Sequence, residues 1–412
     1  MTNPPDVVTV TEGIDDPSLE VRARERLPLL SLLALSTAVF ITSLTETLPA
    51  GLLPQMSAGL HVTASTAGQT VTVYAVGTAL TAIPLTAATA SWRRKRLLWT
   101  AMAGFTVANT VTALSSAYAL TMAARFVAGV AAGLAWALLA GYARRLAPAH
   151  LQGRAIAVAM AGIPVALALG VPAGTFVGTA VNWRLAFVII SALTLLLLGW
   201  IWAAVPDFPG QQGGGRPKVL PALRVPGVSP VLFVTLVFVL GHTILYAYIA
   251  SYLQHVGLGG RTDVVLLVFG VTSILSIWIV GAQIHRRLRP LTIASTLLVE
   301  LAAVLLVLNG SHGSAFPVYA AAALWGLGWG GVPTLLQTAA GEAGGEQADA
   351  AQAMLVTLWN VAMAAGGVIG GVLLARIGSS SLPWAVLLAL VPVLAVVLAS
   401  ARHGFPGRRG PA

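Results

Sequence analysis

Cysteine is absent from the sequence, lysine occurs only twice, and charged residues of either sign are scarce. Of the 412 residues only 9% are charged and 57% are apolar, whereas soluble domains carry about 25% charged residues. The lack of cysteine excludes disulfides, thiolate metal sites and a cysteine nucleophile. A helical bilayer crossing needs roughly 20 apolar residues. The composition therefore excludes a soluble enzyme and predicts a polytopic membrane protein with room for twelve crossings.

Basic residues outnumber acidic ones, and arginine accounts for nearly all of the excess. There are 23 Lys and Arg against 13 Asp and Glu, which gives a net charge of +10. A nucleic-acid surface needs basic groups gathered on one face or stripe that follows the phosphates. Here they form small groups between apolar runs. We therefore expect no nucleic-acid partner and relate the charge to membrane topology.

The apolar runs, separated by turn residues and charges, predict an all-α membrane protein of twelve transmembrane helices in two six-helix halves. A Pro- and Gly-rich segment between the two sets is typical of a linker. The first six helices are expected at about 28–52, 67–90, 97–117, 119–147, 153–180 and 183–205, and the second six at about 230–254, 262–285, 290–308, 315–338, 348–377 and 382–401. The predicted domains are a tail at 1–27, a bundle at 28–205, a linker at 206–229, a bundle at 230–401 and a tail at 402–412.

The basic residues collect on one side of the predicted helices. With the amino terminus in the cytoplasm, 19 of the 23 basic residues lie on the cytoplasmic side, as expected because short translocated loops tolerate few of them. The loop 341–352 departs from this bias, since it has three acidic residues and no basic one. We predict a multi-pass protein of the cytoplasmic (inner) cell membrane with both termini in the cytoplasm.

No catalytic motif is present. A Walker A loop requires Gly-Lys, but Lys95 follows Arg94 and Lys218 follows Pro217. No two of the seven histidines are four residues apart, which removes a zinc helix of the HExxH type. We therefore predict that the chain is not an enzyme, hydrolyses no ATP by itself and holds no metal or other cofactor. No ATPase subunit is implied, which leaves a proton gradient as the driving force.

Three ionisable residues lie clearly inside predicted helices, where a charge costs about 2.5 to 3.5 kcal/mol and marks a functional candidate. Glu46 and Arg125 each lie six residues from the outer ends of helices one and four, roughly 9 Å below that surface. Tyr74 of helix two can reach the same layer. An acid near a guanidinium can exchange protons as its surroundings become wet or dry. These residues are the proton-coupling candidates, and the alternative is a permanent ion pair that holds helices one and four together.

Glu300, in the middle of predicted helix nine, has no polar neighbour in sequence. It is a further coupling candidate or a neutral acid that is hydrogen-bonded to an adjacent helix.

Several polar and aromatic residues deep in the second half are candidates for a substrate cavity. Tyr246 follows His242 by one helical turn, and Trp329 follows Trp325 by one turn, so each pair shares a helix face. Tryptophans at this depth lie away from the interfacial belt and can stack on an aromatic or amphipathic ligand, although plain packing explains them as well. Asn360 can bind substrate or a neighbouring helix.

Three segments resemble the major facilitator superfamily, and within it the bacterial twelve-spanner drug/proton antiporters of the sugar, nucleoside and chloramphenicol efflux branch. The resemblance extends over roughly residues 28–400. Residues 45–54 (TETLPAGLLP) are similar to that branch's Thr-Glu-Phe-x-Pro-x-Gly-Leu-Leu-Pro signature, with Thr47 at the Phe position. Residues 169–175 (LGVPAGT), followed by 182–184 (NWR), are similar to its helix-five antiporter motif. Arg125 with Gly129 and Gly133 resembles the superfamily's helix-four motif.

The resemblance implies a major facilitator fold in which helices 1, 4, 7 and 10 line a central cavity and the two halves rock around it. Gly170, Pro172 and Gly174 are then the positions that permit helix five to bend and pack closely. The loop after helix two keeps the basic end of the superfamily motif Gly-x-x-x-Asp-Arg-x-Gly-Arg-Arg at Arg94, Lys95 and Arg96. Ala90 stands at the Asp position, so the acid associated with a cytoplasmic latch is missing.

The implied function is proton-coupled efflux, by antiport, of a small amphipathic compound or drug. Its partners are this substrate, protons and the lipid bilayer, while the oligomeric state cannot be read from the sequence. The first alternative is export of a sugar, a nucleoside or an endogenous metabolite. A non-transporting sensor with a transporter fold and a lipid-handling membrane protein are more distant alternatives.

Overall fold

A computed structural model describes residues 27–210, 223–310 and 314–405 of the chain. Nearly all of the predicted amino-terminal tail, the middle of the predicted linker and the end of the carboxy-terminal tail lie outside these residues. Within them the chain is helical almost throughout, and helices occur at all twelve predicted positions. The all-α fold class is therefore confirmed.

The first half contains six helices, and two of them are not regular along their whole length. Helix α1 is interrupted at Leu52, and α5 is a series of helical pieces that includes two π-helical stretches. The bounds are α1 Leu29–Gly51 continued by Leu53–Gly59, α2 Ala64–Ala88, α3 Arg94–Leu114, α4 Tyr118–Leu146, α5 Gln152–Met160, Gly162–Val165, Ala166–Gly170, Val171–Val177 and Gly178–Asn182, and α6 Trp183–Ala204.

The second half repeats this layout. Helices α8 and α9 follow each other without a loop and are separated only by the non-helical backbone of Arg287. The bounds are α7 Val228–Ala247 continued by Ile249–His255, α8 Gly259–Ile284, α9 Arg286–Asn309, α10 Ala315–Trp329 continued by Val332–Gly344, α11 Ala348–Arg376 and α12 Ser381–Ala399.

Length and hydropathy agree with membrane crossing. Among the described residues nine helical stretches are long and apolar enough to cross a bilayer. One of them, Gln152–Ala204, is 53 residues long and contains both α5 and α6. The chain is thus a multi-pass membrane protein, as its composition predicts.

The first helix extends beyond its predicted end, which increases the number of residues between Glu46 and the end of the helix. Pro49 lies inside the helix, and the chain resumes helical structure at Leu53 and continues to Gly59. Glu46 is therefore 13 residues from the end of α1, or roughly 20 Å at 1.5 Å per residue. The predicted separation of six residues between Glu46 and the end of this helix was therefore wrong, because the helix continues to Gly59.

Glycine allows helices to pack backbone to backbone. A Cβ atom at Gly326 of α10 would lie 2.3 Å from the carbonyl oxygen of Phe269 in α8. At Gly270 of α8 it would lie 2.5 Å from the carbonyl oxygen of Leu167 in α5. No side chain fits at either position, so these helices approach as closely as small residues permit in a membrane. The α5–α8 contact also joins the two halves.

Substitution of Gly326 by Val should destabilise the protein, because the added carbons must push α10 away from α8. Overpacking of this kind costs about 1 to 3 kcal/mol. The measurement is the midpoint of thermal unfolding in detergent, with Gly281→Val in α8 as the matched control, since a Cβ atom at Gly281 meets nothing within 4 Å. Equal midpoints for the two variants would contradict the close packing.

Candidate transport site

Glu46 lies at a junction of four helices from both halves. Trp136 of α4 is beside its carboxyl group, within reach of a hydrogen bond. Arg125 of α4, Tyr74 of α2 and Tyr246 of α7 are within electrostatic range. The side chain is half-buried and surrounded by protein groups. The acid therefore lies where helices of the two halves meet.

Arg125 is fully buried, and its charge is only partly compensated. Its guanidinium carbon lies 4.9 Å from the centre of the Tyr74 ring, a cation–π contact. Its Nε donates a weak hydrogen bond of 3.4 Å to the Thr70 carbonyl. Its two terminal nitrogens find no acceptor among the described residues.

Glu46 and Arg125 are neighbours without being an ion pair. Within the described part of the chain no nitrogen of Arg125 comes within 4.0 Å of a carboxylate oxygen. The permanent ion pair between helices one and four is therefore not present in this structure. The two charges lie within electrostatic range of each other but are not in contact.

Tyr74 connects the charged layer to α1. Its hydroxyl donates to the Thr42 carbonyl at 3.3 Å, and its ring is fully buried against Arg125. The predicted layer of Glu46, Arg125 and Tyr74 thus comes together in space. Their role in proton transfer stays a prediction.

The second half contains a compact aromatic cluster around His242. The ring of Trp329 stacks on the imidazole at 3.4 Å with an angle of 3° between their planes. Trp325 Nε1 donates to His242 Nδ1 at 3.1 Å, so the histidine is a satisfied polar contact. The Tyr246 ring also stacks against the imidazole, with ring centres 5.3 Å apart. The four predicted cavity residues on α7 and α10 are therefore mutual neighbours, and packing accounts for much of their burial.

The sequence did not reveal four further aromatic residues of the site. Phe238, Phe269 and Trp359 extend the aromatic cluster. Trp136 lies beside the carboxyl group of Glu46. Phe238, His242 and Tyr246 occur at intervals of four residues on α7, so spacing alone could have indicated the first.

Asn360 and Glu300 do not join these groups. The Asn360 amide donates to the Val356 carbonyl of its own helix at 2.9 Å. Glu300 is half-buried on α9, and one of its oxygens is buried without a partner among the described residues. The structure therefore adds no support for Asn360 as a substrate ligand, and the role of Glu300 stays open.

The helix-five motif packs against α1. Cβ atoms at Gly170 and Gly174 would lie 2.9 Å from Phe40 and 2.7 Å from Leu48. Pro172, between them, is buried. The π-helical stretch Ala166–Gly170 ends just before this proline. Proline removes a backbone donor, which favours the irregular turn, and the glycines on either side allow the tight contact with α1.

The basic loop after α2 is paired with an acidic residue from another segment of the chain. Asp207, which follows α6, forms an ion pair with Arg93 and accepts from the Lys95 backbone N–H at 3.1 Å. Lys95 Nζ donates to the Trp202 carbonyl at 2.7 Å, and Arg94 is held by the Ala90 carbonyl. The loop therefore binds the segment after α6 within its own half.

The two halves are joined at the end where α2 begins and α11 ends. The Ser65 hydroxyl donates to the Gly371 carbonyl at 2.7 Å. The Tyr248 hydroxyl donates to the Gly367 carbonyl at 2.7 Å and accepts from the Gln69 amide at 3.2 Å. Tyr248 is fully buried. We call these three contacts the α2–α11 clamp, and they close the molecule at this end.

A bundle of apolar helices with a half-buried acid at the contact of two repeated halves defines a membrane transporter rather than an enzyme. The profile of the Major Facilitator Superfamily matches residues 35–367. The chain belongs to this family. Its members are transporters, and the family fold implies twelve crossings.

Three curated relatives show how similar chains are described. A chloramphenicol efflux pump of Mycobacterium tuberculosis is 31% identical over 84% of this chain and 86% of its own. A transcription regulatory protein of Pseudomonas aeruginosa is 28% identical over 84% and 87%. A probable sugar efflux transporter of Mannheimia succiniciproducens is 25% identical over 85% and 88%.

Solved structures agree on the fold. The crystal structure of the nucleoside transporter NupG matches with a TM-score of 0.70 at 12% identity, and covers 90% of this chain and 98% of that one. At this identity the likeness concerns the fold alone.

Substitution of Tyr248 by Phe should loosen the α2–α11 clamp. It removes a hydroxyl that makes two hydrogen bonds, each worth about 1 kcal/mol, and should raise the population open at this end about fivefold or more. Because the chain has no cysteine, spin labels at Ala64→Cys and Ala375→Cys can measure the distance distribution directly. Tyr319→Phe is the control, and an unchanged distribution for Tyr248→Phe would contradict the clamp.

The Asp207 contact should stabilise the protein only while the carboxyl group is ionised. Partial burial raises the pKa of Asp207, but hydrogen bonds from Arg93 and the Lys95 backbone outweigh this and hold the pKa below its usual value. The contribution is therefore present near neutral pH and is lost only as the pH falls below about 4.

Asp207→Asn should lower the unfolding midpoint by the equivalent of about 1 kcal/mol or less at pH 7, and the difference from wild type should shrink below pH 4. Thermal unfolding over a pH series measures this, with Asp263→Asn at the start of α8 as control. A difference that persists unchanged at the lowest pH would show that charge is not the cause.

Proposed function

We propose that the protein exports a small amphipathic compound across the cytoplasmic membrane in exchange for protons. The position of Glu46 is the observation that carries the proposal. It is a half-buried acid where α1, α2, α4 and α7 meet, close to Arg125 and not paired with it. Family membership and the efflux relatives support transport in the outward direction.

Two opposing effects act on the charge of Glu46. Burial away from water favours the neutral acid, and the positive charge of Arg125 favours the carboxylate. When the halves move, access of water and the distance to Arg125 change together. The acid can then take a proton from one side of the membrane and release it on the other, which is the physical requirement for coupling.

The orientation follows from the basic residues. If both termini are cytoplasmic, α2 begins and α11 ends at the outer surface, and the α2–α11 clamp closes the outer side. The structure then corresponds to a state that is closed to the outside, in which substrate enters from the cytoplasm. The predicted bundles at 28–205 and 230–401 are the two bodies that move against each other, and the clamp must break for the outer side to open.

The substrate proposal depends on the aromatic groups beside the acid. Trp136 and Tyr246 lie around Glu46, and Tyr246 continues into the cluster of His242, Trp325 and Trp329. Aromatic surfaces bind flat or amphipathic molecules with little loss of conformational entropy. Such a site suits an amphipathic compound better than a polyol.

A second candidate is export of a sugar, a nucleoside or an endogenous metabolite, which the relative named as a probable sugar efflux transporter favours. A sensor function is a third, and the relative named as a transcription regulatory protein favours it. Thermal shifts across a compound panel separate the first two candidates, and counterflow in liposomes separates a transporter from a sensor.

Replacement of Glu46 by Gln should abolish transport driven by a pH gradient, because the amide keeps the size and polarity of the side chain but carries no exchangeable charge. Substrate binding and gradient-free counterflow should remain. The measurement uses liposomes with an imposed pH gradient and a compound identified by a resistance screen in an efflux-deficient host.

Glu342→Gln, the same substitution at an exposed acid near the end of α10, is the matched control and should transport as the wild type does. If Glu46→Gln retains gradient-driven transport, Glu46 is not the coupling group. If counterflow is absent from the wild type for every compound that shifts its unfolding, the chain is not an exporter of those compounds.

A further inference from the structure

An apolar groove lies on the side of the first bundle that faces away from its centre, between α2, α3 and α4, near the end of α2 and the start of α3. It has a volume of about 280 Å³ and an almost wholly apolar lining. The last turn of α2 and the loop after it contribute Leu85 and Trp92, α3 contributes Thr100 and Gly104, and α4 contributes Val127. Trp92 and Val127 are 40% and 44% exposed, so the groove is open to the surroundings of the bundle rather than to its centre.

The groove begins at the membrane surface. Its lining includes the last turn of α2 and the first three turns of α3, and Trp92 lies at its mouth, where tryptophan commonly marks the interface. From Arg94 to Gly104 the helix descends roughly 15 Å. The groove therefore runs from the head-group level into the hydrocarbon layer, which is the path of a phospholipid acyl chain.

A basic side chain, that of Arg96, lies at the mouth of the groove. Arg96 is one turn before Thr100 on α3, and its guanidinium lies 5.2 Å from the centre of the Trp92 ring. The three other basic residues of this run are engaged by protein groups, Arg93 by Asp207, Arg94 by Ala90 and Lys95 by Trp202. Arg96 makes no side-chain hydrogen bond or ion pair with the described residues, and it is exposed.

We propose that this groove is a binding site for an anionic phospholipid, with one acyl chain against α3 and α4 and the phosphate on Arg96. Guanidinium groups make strong charge-assisted hydrogen bonds to phosphate, and basic pockets between membrane helices bind lipid head groups. The charge at the mouth selects an anionic head group over a zwitterionic one. The site is independent of the central cavity and of the proposed transport reaction.

Binding of dioleoylphosphatidylglycerol to the purified full chain tests the proposal, with dioleoylphosphatidylcholine as the reference lipid. Native mass spectrometry counts bound lipids and gives their affinities. The wild type should bind one phosphatidylglycerol more tightly than phosphatidylcholine. Arg96→Gln should weaken it about fivefold, the usual effect of one basic residue near an anionic surface, and should remove the preference between the lipids.

Thr100→Trp fills the groove from α3 and should abolish this binding without loss of Arg96. Val127→Trp fills it from α4 and gives the same test if the first variant does not fold. The matched controls are Arg144→Gln, which removes another exposed basic residue, and Val107→Trp, which adds a tryptophan to α3 outside the groove lining. Both controls should bind as the wild type does.

Three results would overturn the proposal. Equal affinities of the wild type for the two lipids would exclude a selective site. Unchanged phosphatidylglycerol binding in Arg96→Gln, or in the folded groove-filling variants, would place the lipid elsewhere. An equal loss in Arg144→Gln would show that net charge, rather than this groove, attracts the lipid.

Discussion

A charged group inside a membrane protein is tolerated only where its surroundings compensate it, and the arrangement of Glu46 and Arg125 depends on this constraint. Arg125 is fully buried and has a tyrosine ring and one weak hydrogen bond as partners. Glu46 lies near it, at the contact between the halves. Neither charge is fully paired, and the proposed coupling depends on this, because a tightly paired acid would resist changes in its protonation.

The packing of the bundle confines movement to a few contacts. Within each half, glycines bring helices into backbone contact, as between Gly326 and Phe269, and such packed layers do not deform gradually. Between the halves, the clamp consists of hydrogen bonds from Ser65, Gln69 and Tyr248. Bonds of this kind contribute about 1 kcal/mol each, so they can break and form again while the halves remain intact.

The sequence predicted those properties that depend on residues near one another in the chain. Apolar runs located all twelve helices. Intramembrane charge singled out Glu46 and Arg125, which lie near each other in the structure, while their role in coupling stays a prediction. The predicted end of helix one at about residue 52 was too early, because the chain resumes helical structure after Leu52 and continues to Gly59. The sequence did not indicate Trp136, because its position beside Glu46 depends on which face of α4 packs against α1. Apolar residues occur on every face of α4, so the sequence pattern does not show which face this is.

The basic loop after α2 shows how a missing residue can be supplied from elsewhere in the chain. The superfamily motif has an acid where this chain has Ala90, yet Asp207 reaches the same loop from beyond α6. Arg93 at the N-cap of α3 and the backbone of Lys95 turn towards Asp207. Arg96, the residue after Lys95, is directed to another face of the same helix and meets Trp92. A short basic run therefore divides between two surfaces because helical geometry separates consecutive side chains by about 100°. One surface holds the half together, and the other remains available to the membrane.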